Sequence, residues 1–328
     1  MPFTIAMYDK SHAHIAARLA GLGLDIRLAT FGKDCLYEID GRKLSPSEVD
    51  VDYMWLTSHL NADGFRDPAF DLCLATRAIK VLQTFNAGLD HPFYKRLAAK
   101  GTRICNSSAQ GIAIAEYTFA QVMAVLQPIE LQRDLQRRRE WRNTPFREVS
   151  QTRWLIIGFG PIGQAIAKRA KAFEAAVDVI RRSPAPSPDA DRVGTAADLA
   201  SYLHEADIVV LACPLTEETR GLAGQAFFAG LKQGAILVNI ARGGLVDDAA
   251  LLTALDNGRL STAILDVFHE EPLPAASPLW AHAGVRLTSH TSFAGSGARS
   301  RWDALFLDNV ARFVRGEPLA LEVDPRAL

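Results

Sequence analysis

The segment that most constrains this chain is a short apolar run that leads directly into three spaced glycines. Trp154–Ile157 is long enough for a buried strand. The six residues after it follow the pattern G-x-G-x-x-G, namely Gly158, Phe159, Gly160, Pro161, Ile162 and Gly163. In such a pattern the first glycine permits a tight turn, the second lets the backbone approach a pyrophosphate, and the third lets helix and strand pack closely.

A helix is predicted directly behind these glycines. Over residues 164–173 the apolar side chains of Ile166, Ala170 and Phe173 fall on one helical face, together with Ile162. The N–H groups of the first turn of such a helix attract phosphates. Because a strand precedes the glycines and a helix follows them, we predict a dinucleotide-binding fold rather than an ordinary turn between strand and helix.

Strand-like and helix-like segments alternate along the whole chain. The strand candidates before residue 110 are Phe3–Met7, Val51–Thr57, Ala78–Gln83 and Thr102–Cys105. From about residue 152 to 289, further buried strands alternate with helices, which predicts an α/β protein with a Rossmann-type doubly wound parallel sheet. Residues 111 to about 139 form one long helical pattern, which Pro128 is expected to kink.

At 328 residues the length favours two domains. We assign residues 111–294 to the dinucleotide-binding domain. Residues 1–110 and 295–328 are assigned to a smaller, discontinuous substrate domain, because the tail helix predicted over Arg301–Arg315 is expected to return to the first part of the chain.

Composition and charge exclude several classes of partner. The formal net charge of −1 gives no electrostatic case for nucleic acid or an anionic membrane. The four cysteines are scattered and form no C-x-x-C pair, which indicates reduced thiols and no metal site. No signal peptide or membrane-spanning run is apparent, so we expect a cytoplasmic protein.

The end of the second strand of the dinucleotide domain bears on the choice of cofactor. NAD-binding domains usually carry Asp or Glu there to accept the ribose 2′-hydroxyl. In this chain the strand Val177–Ile180 is followed by Arg181, Arg182 and Ser183, and Asp178 falls too early to serve. Because guanidinium groups bind a 2′-phosphate that a carboxylate would repel, we predict a preference for NADP. In the alternative interpretation one arginine stacks on the adenine and NAD is used.

Three later segments also lie at predicted strand ends, where open α/β sheets place their ligands. They are Asn239–Gly244, Leu265–Pro272 and Thr288–Thr291. With the glycine pattern, N-A-G-L-D at residues 86–90 and P-L-T-E-E-T at residues 214–219, their order resembles the D-isomer-specific 2-hydroxyacid dehydrogenases, in particular glyoxylate/hydroxypyruvate reductases. The resemblance covers nearly the whole chain and implies a flavodoxin-like fold for the smaller domain.

The residues in these segments suit the reduction of a 2-keto acid. Arg242 can hold the substrate carboxylate and carbonyl oxygen through paired N–H groups. His290 can donate the proton to the developing alkoxide and remove it in the reverse direction. A carboxylate beside His290 would fix its tautomer and favour the imidazolium, and the family pattern assigns that role to Glu271. His269, two residues from Glu271, is the rival histidine.

The resemblance extends the site to the cofactor and to the substrate. Asp266 would accept a hydrogen bond from the nicotinamide carboxamide, and the loop residues Ala241, Arg242 and His290 would lie against the cofactor. The nicotinamide and ribose side would be lined by Cys213, Pro214, Thr219 and Ile240. In the smaller domain, Asn86 and the N–H groups of Ala87 and Gly88 would hold the substrate.

Two departures from the family pattern limit the prediction of the substrate. Asn86 stands where a glycine or another small residue is common, and Ser289 stands where a proline usually precedes the histidine. Trp55, His59, Phe293 and Trp302 are candidates for the wall of the substrate pocket.

We therefore expect a homodimer, assembled around residues 111–139, that reduces glyoxylate or hydroxypyruvate with NADPH or NADH. One alternative is an NAD-linked dehydrogenase of a larger 2-hydroxy acid. A second is a non-catalytic, dinucleotide-sensing protein similar to the corepressor branch of this fold.

Overall fold

The computed structural model describes residues 2–325, and the contacts among them form two compact units. The first unit consists of the described residues of Met1–Ala109 and Gly297–Leu328, and the second is Gln110–Ser296.

The first unit is built on a seven-stranded sheet with the order β4-β3-β2-β1-β5-β6-β7. Its elements are β1 (Phe3–Tyr8), α1 (Asp9–Ala20), β2 (Ile26–Phe31), β3 (Tyr37–Ile39), β4 (Arg42–Leu44), β5 (Asp50–Leu56), α2 (His59–Ala62), α3 (Arg66–Ala75), β6 (Ala78–Thr84), α4 (Pro92–Ala98) and β7 (Arg103–Cys105). The strands β2, β1, β5, β6 and β7 are parallel, and β3 and β4 form an antiparallel hairpin at one edge. The parallel strands alone follow the flavodoxin-like order, as predicted.

The tail of the chain completes the core of this unit. The C-terminal helix spans Ala298–Arg315, three residues more than predicted. Phe306 on this helix is fully buried, and its ring stacks on Trp55 of β5 with centroids 4.0 Å apart. The unit is therefore closed by a segment that lies far away in the sequence.

The second unit contains a seven-stranded, fully parallel sheet with the order β10-β9-β8-β11-β12-β13-β14. Its elements are α5 (Gly111–Leu126), α6 (Ile129–Arg138), β8 (Arg153–Ile157), α7 (Pro161–Ala172), β9 (Ala176–Ile180), β10 (Arg192–Gly194), α8 (Leu199–Leu203), β11 (Ile208–Leu211), α9 (Gln225–Ala229), β12 (Ala235–Asn239), α10 (Asp248–Asp256), β13 (Leu260–Leu265) and β14 (Val285–Leu287). The first six strands have the spatial order of dinucleotide-binding folds. The predicted doubly wound parallel sheet is confirmed.

Burial explains why these strands are parallel and central. Every side chain of β11 is fully buried, and so are Trp154, Leu155 and Ile156 of β8. Strands that are covered by helices on both faces consist of continuous apolar runs rather than alternating ones. The strand that leads into the three glycines therefore lies at the centre of the sheet.

The long helical pattern over residues 111–139 is not one helix. α5 ends at Leu126, α6 begins at Ile129, and the two axes differ by 56°. Pro128 is the N-cap of α6, so it ends one helix and begins the next instead of kinking a single one. Among the described residues no single helix is long and apolar enough to cross a membrane, and only this bent pair passes that test when counted together.

Candidate active site

The predicted site residues of the second unit follow the carboxyl ends of six of its strands. β8 leads into the glycines, β9 into Arg181, β11 into Cys213, β12 into Arg242, β13 into Asp266 and β14 into His290. Because all seven strands are parallel, these ends share one edge of the sheet.

The three glycines have the geometry that a dinucleotide requires. Gly158 has φ +101°, and a Cβ there would lie 2.5 Å from the Cys213 nitrogen. A Cβ on Gly163 would lie 2.2 Å from the Gly158 oxygen, whereas a Cβ on Gly160 would meet no atom within 4 Å. Gly160 is also the N-cap of α7 and supplies no side-chain cap. The first turn of α7 thus opens onto uncrowded space, which fits a bound pyrophosphate.

Arg181, directly after β9, lies beside the glycine loop. The guanidinium of Arg181 lies over the ring of Phe159, 5.6 Å from its centroid. The hydrogen bond from Thr216 is the main cause that lowers the pKa of Glu218, and the charge of Arg182 adds a smaller contribution. Asp178 is buried within the strand and forms ion pairs with Arg153 and Arg192. It is therefore committed to the sheet, as expected from its early position.

The loop after β11 is organised by its own hydrogen bonds. The Thr219 hydroxyl donates to the Pro214 carbonyl at 2.7 Å and accepts from the Thr216 N–H at 2.8 Å. Cys213 is buried, and this burial raises the pKa of its thiol to about 11. The thiol is thus protonated near neutral pH and contributes an apolar surface to this edge.

The loop after β12 holds Arg242 in a defined backbone conformation. The buried Asn239 donates from Nδ2 to the Arg242 carbonyl at 2.9 Å and accepts from the Ala241 N–H at 3.1 Å. One guanidinium N–H of Arg242 donates to the Ala241 carbonyl at 2.7 Å. Ile240 is buried beneath this turn.

The Arg242 loop packs directly on the loop that carries Glu271. A Cβ on Gly243 would lie 1.9 Å from the carbonyl carbon of Phe268, so only glycine allows the two backbones to come this close. The Phe268 N–H donates to Glu271 Oε1 at 3.0 Å. The position of Arg242 is thereby tied to that of Glu271.

Glu271 and His290 form the predicted pair. His290 Nδ1 lies 2.7 Å from Glu271 Oε2, and both side chains are partly exposed. With Nδ1–H donating to the carboxylate, Nε2 is the ring nitrogen that can serve a substrate. The rival, His269, instead has its Nε2 2.6 Å from the Val246 carbonyl, which is a structural contact.

The loop that carries His290 is held by Asp266. This carboxylate is fully buried and accepts from the Thr288 hydroxyl at 2.5 Å, the Thr291 N–H at 2.8 Å and the Ser292 N–H at 3.0 Å. The sequence analysis assigned Asp266 to the nicotinamide alone, and these hydrogen bonds show that it also anchors the loop of His290. The Tyr117 hydroxyl of α5 lies 2.7 Å from the Thr288 hydroxyl. The sequence analysis assigned no role to Tyr117.

In the first unit, residues 86–88 form a turn after the carboxyl end of β6. Asn86 donates from Nδ2 to the Tyr94 hydroxyl at 2.8 Å, so its amide supports the turn. Within residues 2–325 the N–H groups of Ala87 and Gly88 donate to no protein acceptor. They fit the predicted role of binding a carboxylate.

The four aromatic candidates for the pocket wall divide between the units. Trp55, His59 and Trp302 line one small cavity of the first unit. His59 Nε2 lies 2.9 Å from an Arg299 guanidinium nitrogen; burial, followed by this cation, lowers the pKa of His59. Phe293 belongs to the second unit and lies edge-on to His290, with ring centroids 6.1 Å apart. Among residues 2–325 no group of three His, Cys, Asp or Glu side chains could hold a metal ion.

Comparison with known proteins identifies the second unit. The family model for the NAD-binding domain of D-isomer-specific 2-hydroxyacid dehydrogenases matches residues 119–292. A solved structure of such a dehydrogenase from Xanthobacter autotrophicus Py2, in complex with NADPH and MES, is 28% identical with a TM-score of 0.78, covering 100% of this chain and 99% of that one.

The curated relatives are named for different substrates. D-3-phosphoglycerate dehydrogenase of Bacillus subtilis is 32% identical over 79% of this chain, which spans only 50% of that relative's length. Glyoxylate/hydroxypyruvate reductase A of Klebsiella pneumoniae is 29% identical over 76% of this chain and 82% of its own length. With the family model matching more than half of its residues, this chain belongs to the D-isomer-specific 2-hydroxyacid dehydrogenase family.

Proposed function

We propose that this protein reduces small 2-keto acids to D-2-hydroxy acids with a nicotinamide dinucleotide. The observation that carries the proposal is the 2.7 Å contact between His290 Nδ1 and Glu271. The histidine oriented by this contact follows β14, and the three glycines follow β8, at the same edge of the sheet. The backbone contact at Gly243 ties Arg242 to that pair.

Each residue has a separate task in this reaction. The dinucleotide, when bound by the glycines and the first turn of α7, supplies the hydride. Arg242 binds the carboxylate of the keto acid and orients the carbonyl through charge-assisted hydrogen bonds. His290 in its imidazolium form gives the proton on Nε2 to the carbonyl oxygen, and Glu271 stabilises the charge and fixes the tautomer. The neutral imidazole accepts that proton again in the oxidative direction.

For the substrate we propose glyoxylate or hydroxypyruvate. The support is the similarity to a relative named glyoxylate/hydroxypyruvate reductase over most of both chains. The N–H groups of Ala87 and Gly88 suit a small carboxylate, and we propose that residues 1–110 and 295–328 form the substrate domain. We further propose that residues 111–294 bind the cofactor.

For the cofactor we propose NADPH over NADH. Two cations, Arg181 and Arg182, follow β9, and no carboxylate stands at that strand end. A carboxylate there would repel a 2′-phosphate, and guanidinium groups attract it. The solved structure from Xanthobacter autotrophicus was obtained with NADPH.

We also propose a cytoplasmic homodimer. The support for a second copy is a set of exposed apolar side chains on and after α6, namely Ile129, Leu131, Trp141 and Phe146. Burying one large apolar side chain is worth about 1.5–3 kcal/mol.

The proposal is tested by following the oxidation of NADPH and NADH with a panel of 2-keto acids. The panel contains glyoxylate, hydroxypyruvate, 3-phosphohydroxypyruvate and phenylpyruvate, and His290→Gln is the control variant. We expect the highest kcat/KM with NADPH and a small keto acid, and a loss of about 10²–10⁴-fold in the variant. No turnover of any keto acid, or an unimpaired variant, would refute the function.

A further inference from the structure

One buried carboxylate holds both sides of the catalytic loop. Asp266 accepts one hydrogen bond from Thr288, two residues before His290, and two from Thr291 and Ser292, directly after it. The His290 N–H in addition donates to the Thr288 carbonyl at 3.1 Å. His290 therefore lies at the apex of a tight turn whose two arms are fixed to the same side chain.

This turn places His290 in an uncommon backbone conformation. Its φ is +47°, in the left-handed region that non-glycine residues rarely adopt. Such a conformation costs roughly 1–3 kcal/mol and persists where the surroundings determine it. The three hydrogen bonds to Asp266 supply that constraint.

The direction of the hydrogen bonds can be assigned from the donors present. Thr288 has one hydroxyl proton, and it is used on Asp266, which as a carboxylate can only accept. The hydroxyl of Tyr117 must therefore donate to Thr288 Oγ1. Burial raises the pKa of Tyr117 to about 12, so it remains a donor throughout the working pH range. The hydrogen bonds from Tyr117 to Thr288 and from Thr288 to Asp266 therefore run in the same direction, and each one polarises and strengthens the other.

The contact of His290 with Glu271 is more exposed to solvent than the hydrogen bonds that join Tyr117, Thr288 and Asp266. The two side chains retain 42% and 36% of their exposure, and exposed ion pairs contribute about 0–1 kcal/mol. That contact alone cannot hold the imidazole in one pose. The buried hydrogen bonds behind the loop carry more of the constraint.

We propose that Tyr117 is a positioning residue for His290, acting through Thr288 and Asp266. Helix α5 then sets the pose in which the imidazole meets Glu271 and the substrate. This inference rests on the proposed acid–base role of His290, and it assigns a function to a side chain that does not touch the reacting atoms.

The test compares Tyr117→Phe with Tyr202→Phe. Tyr202, on α8 of the same unit, packs under Arg192, and Tyr202→Phe is expected to leave the activity unchanged. Both substitutions keep the ring, so the fold should be retained. For Tyr117→Phe we expect kcat to fall about 5–20-fold, as for one lost hydrogen bond to a charged network, with KM for the keto acid changed less than about twofold.

A double-mutant cycle with Thr288→Val completes the test. Because the two hydroxyl groups act in series, the double variant should be no slower than Thr288→Val alone. The inference is overturned if Tyr117→Phe has the kcat of Tyr202→Phe, if its KM for the keto acid rises as much as its kcat falls, or if the two losses add. His290→Gln separates this failure from the larger one: an inactive His290→Gln beside an unaltered Tyr117→Phe removes the role of Tyr117 and leaves the proposed reaction standing.

Discussion

A histidine follows the carboxyl end of a parallel strand in each unit, and the two have opposite surroundings. His59, after β5, lies against the Arg299 guanidinium, and burial together with that cation lowers its pKa. His290, after β14, lies against the Glu271 carboxylate. Of these two histidines, His290 is the one whose ring is oriented by a carboxylate, which leaves Nε2 available for a substrate.

The two sheet edges also differ in the chemical groups that they present. The edge of the second unit carries a guanidinium, an imidazole and two carboxylates on loops that pack on one another. At the edge of the first unit, the turn at residues 86–88 offers backbone N–H groups. Similar architectures thus carry different chemistry, because function resides in the residues placed on a fold. We expect substitutions in the second unit to reduce kcat and those in the first to change KM.

After His290→Gln, the largest expected effect is that of Arg242→Met. Removing paired, charge-assisted hydrogen bonds to a carboxylate should reduce kcat/KM by about 10²–10³-fold, equivalent to roughly 3–4 kcal/mol. The measurement is steady-state reduction of glyoxylate with NADPH, with Arg315→Met as the control, since Arg315 pairs with Glu317 at the end of the C-terminal helix. Equal losses of kcat/KM in the two variants would show that Arg242 does not bind the substrate carboxylate.

Gly243→Ala should mainly affect stability. The new methyl group would overlap the Phe268 backbone, and such overpacking costs about 1–3 kcal/mol or more. We expect Tm to fall by about 2–4 °C for each kcal/mol lost, together with lower kcat, since the Arg242 and Glu271 loops must separate. Gly230→Ala is the control: Gly230 follows α9 of the same unit with φ −78°, and a Cβ there would meet no atom closer than 3.5 Å. Activity retained by Gly243→Ala would mean that the contact of the two loops does not matter.

Arg181→Asp should exchange the cofactor preference. Replacing a cation that favours a 2′-phosphate with an anion that repels it should shift the NADPH-to-NADH ratio of kcat/KM toward NADH by about 1–3 kcal/mol. Arg169→Asp is the matched control, because Arg169 lies on α7 and pairs with Glu116. If the ratio is unchanged by Arg181→Asp, Arg181 has no part in choosing the cofactor.

Asn86→Gly should have the smallest effect. It removes the amide that donates to Tyr94, a loss of about 0.5–1.5 kcal/mol in stability, and leaves the backbone N–H groups of the turn in place. We expect KM for glyoxylate to change by about twofold or less and kcat to stay the same. A large fall in kcat would contradict the division of roles between the two units.

The sequence predicted the second sheet well because its strands are continuous apolar runs, such as Ile208–Leu211. It predicted less of the first sheet, where β2, the hairpin of β3 and β4, and helix α3 were missed. The hairpin did have a local signal: Asp40 and Gly41 have φ +49° and +73° and form the Asp-Gly turn that suits a two-residue connection.

The first helix shows a different kind of error. The sequence pattern predicts a helix only over residues 14–22, yet α1 begins at Asp9, directly after β1, and ends at Ala20. Ser11 is among its buried residues and shares a hydrogen bond with Thr57 of a distant segment. Local pattern gives no weight to a polar residue that a tertiary contact buries, so the first turn was overlooked.

The contact between Glu271 and His290 was predicted, and the hydrogen bonds that support it were not. Glu271 and His290 could be found from motifs, whereas the contact between Tyr117 and Thr288 joins residues 171 positions apart. No periodicity in a sequence reports such a pairing. The buried hydrogen bonds that orient a site are therefore the part that needs coordinates.

The left-handed backbone at residue 290 also indicates which inactive variant is best suited to trap a complex with keto acid and reduced nucleotide. Asparagine adopts that conformation more readily than most residues do, and its side-chain amide cannot act as a general acid. His290→Asn should therefore keep the shape of the loop while leaving keto acid and reduced nucleotide side by side without reacting. Crystals of that variant, soaked with both, would display the complex just before the chemical step.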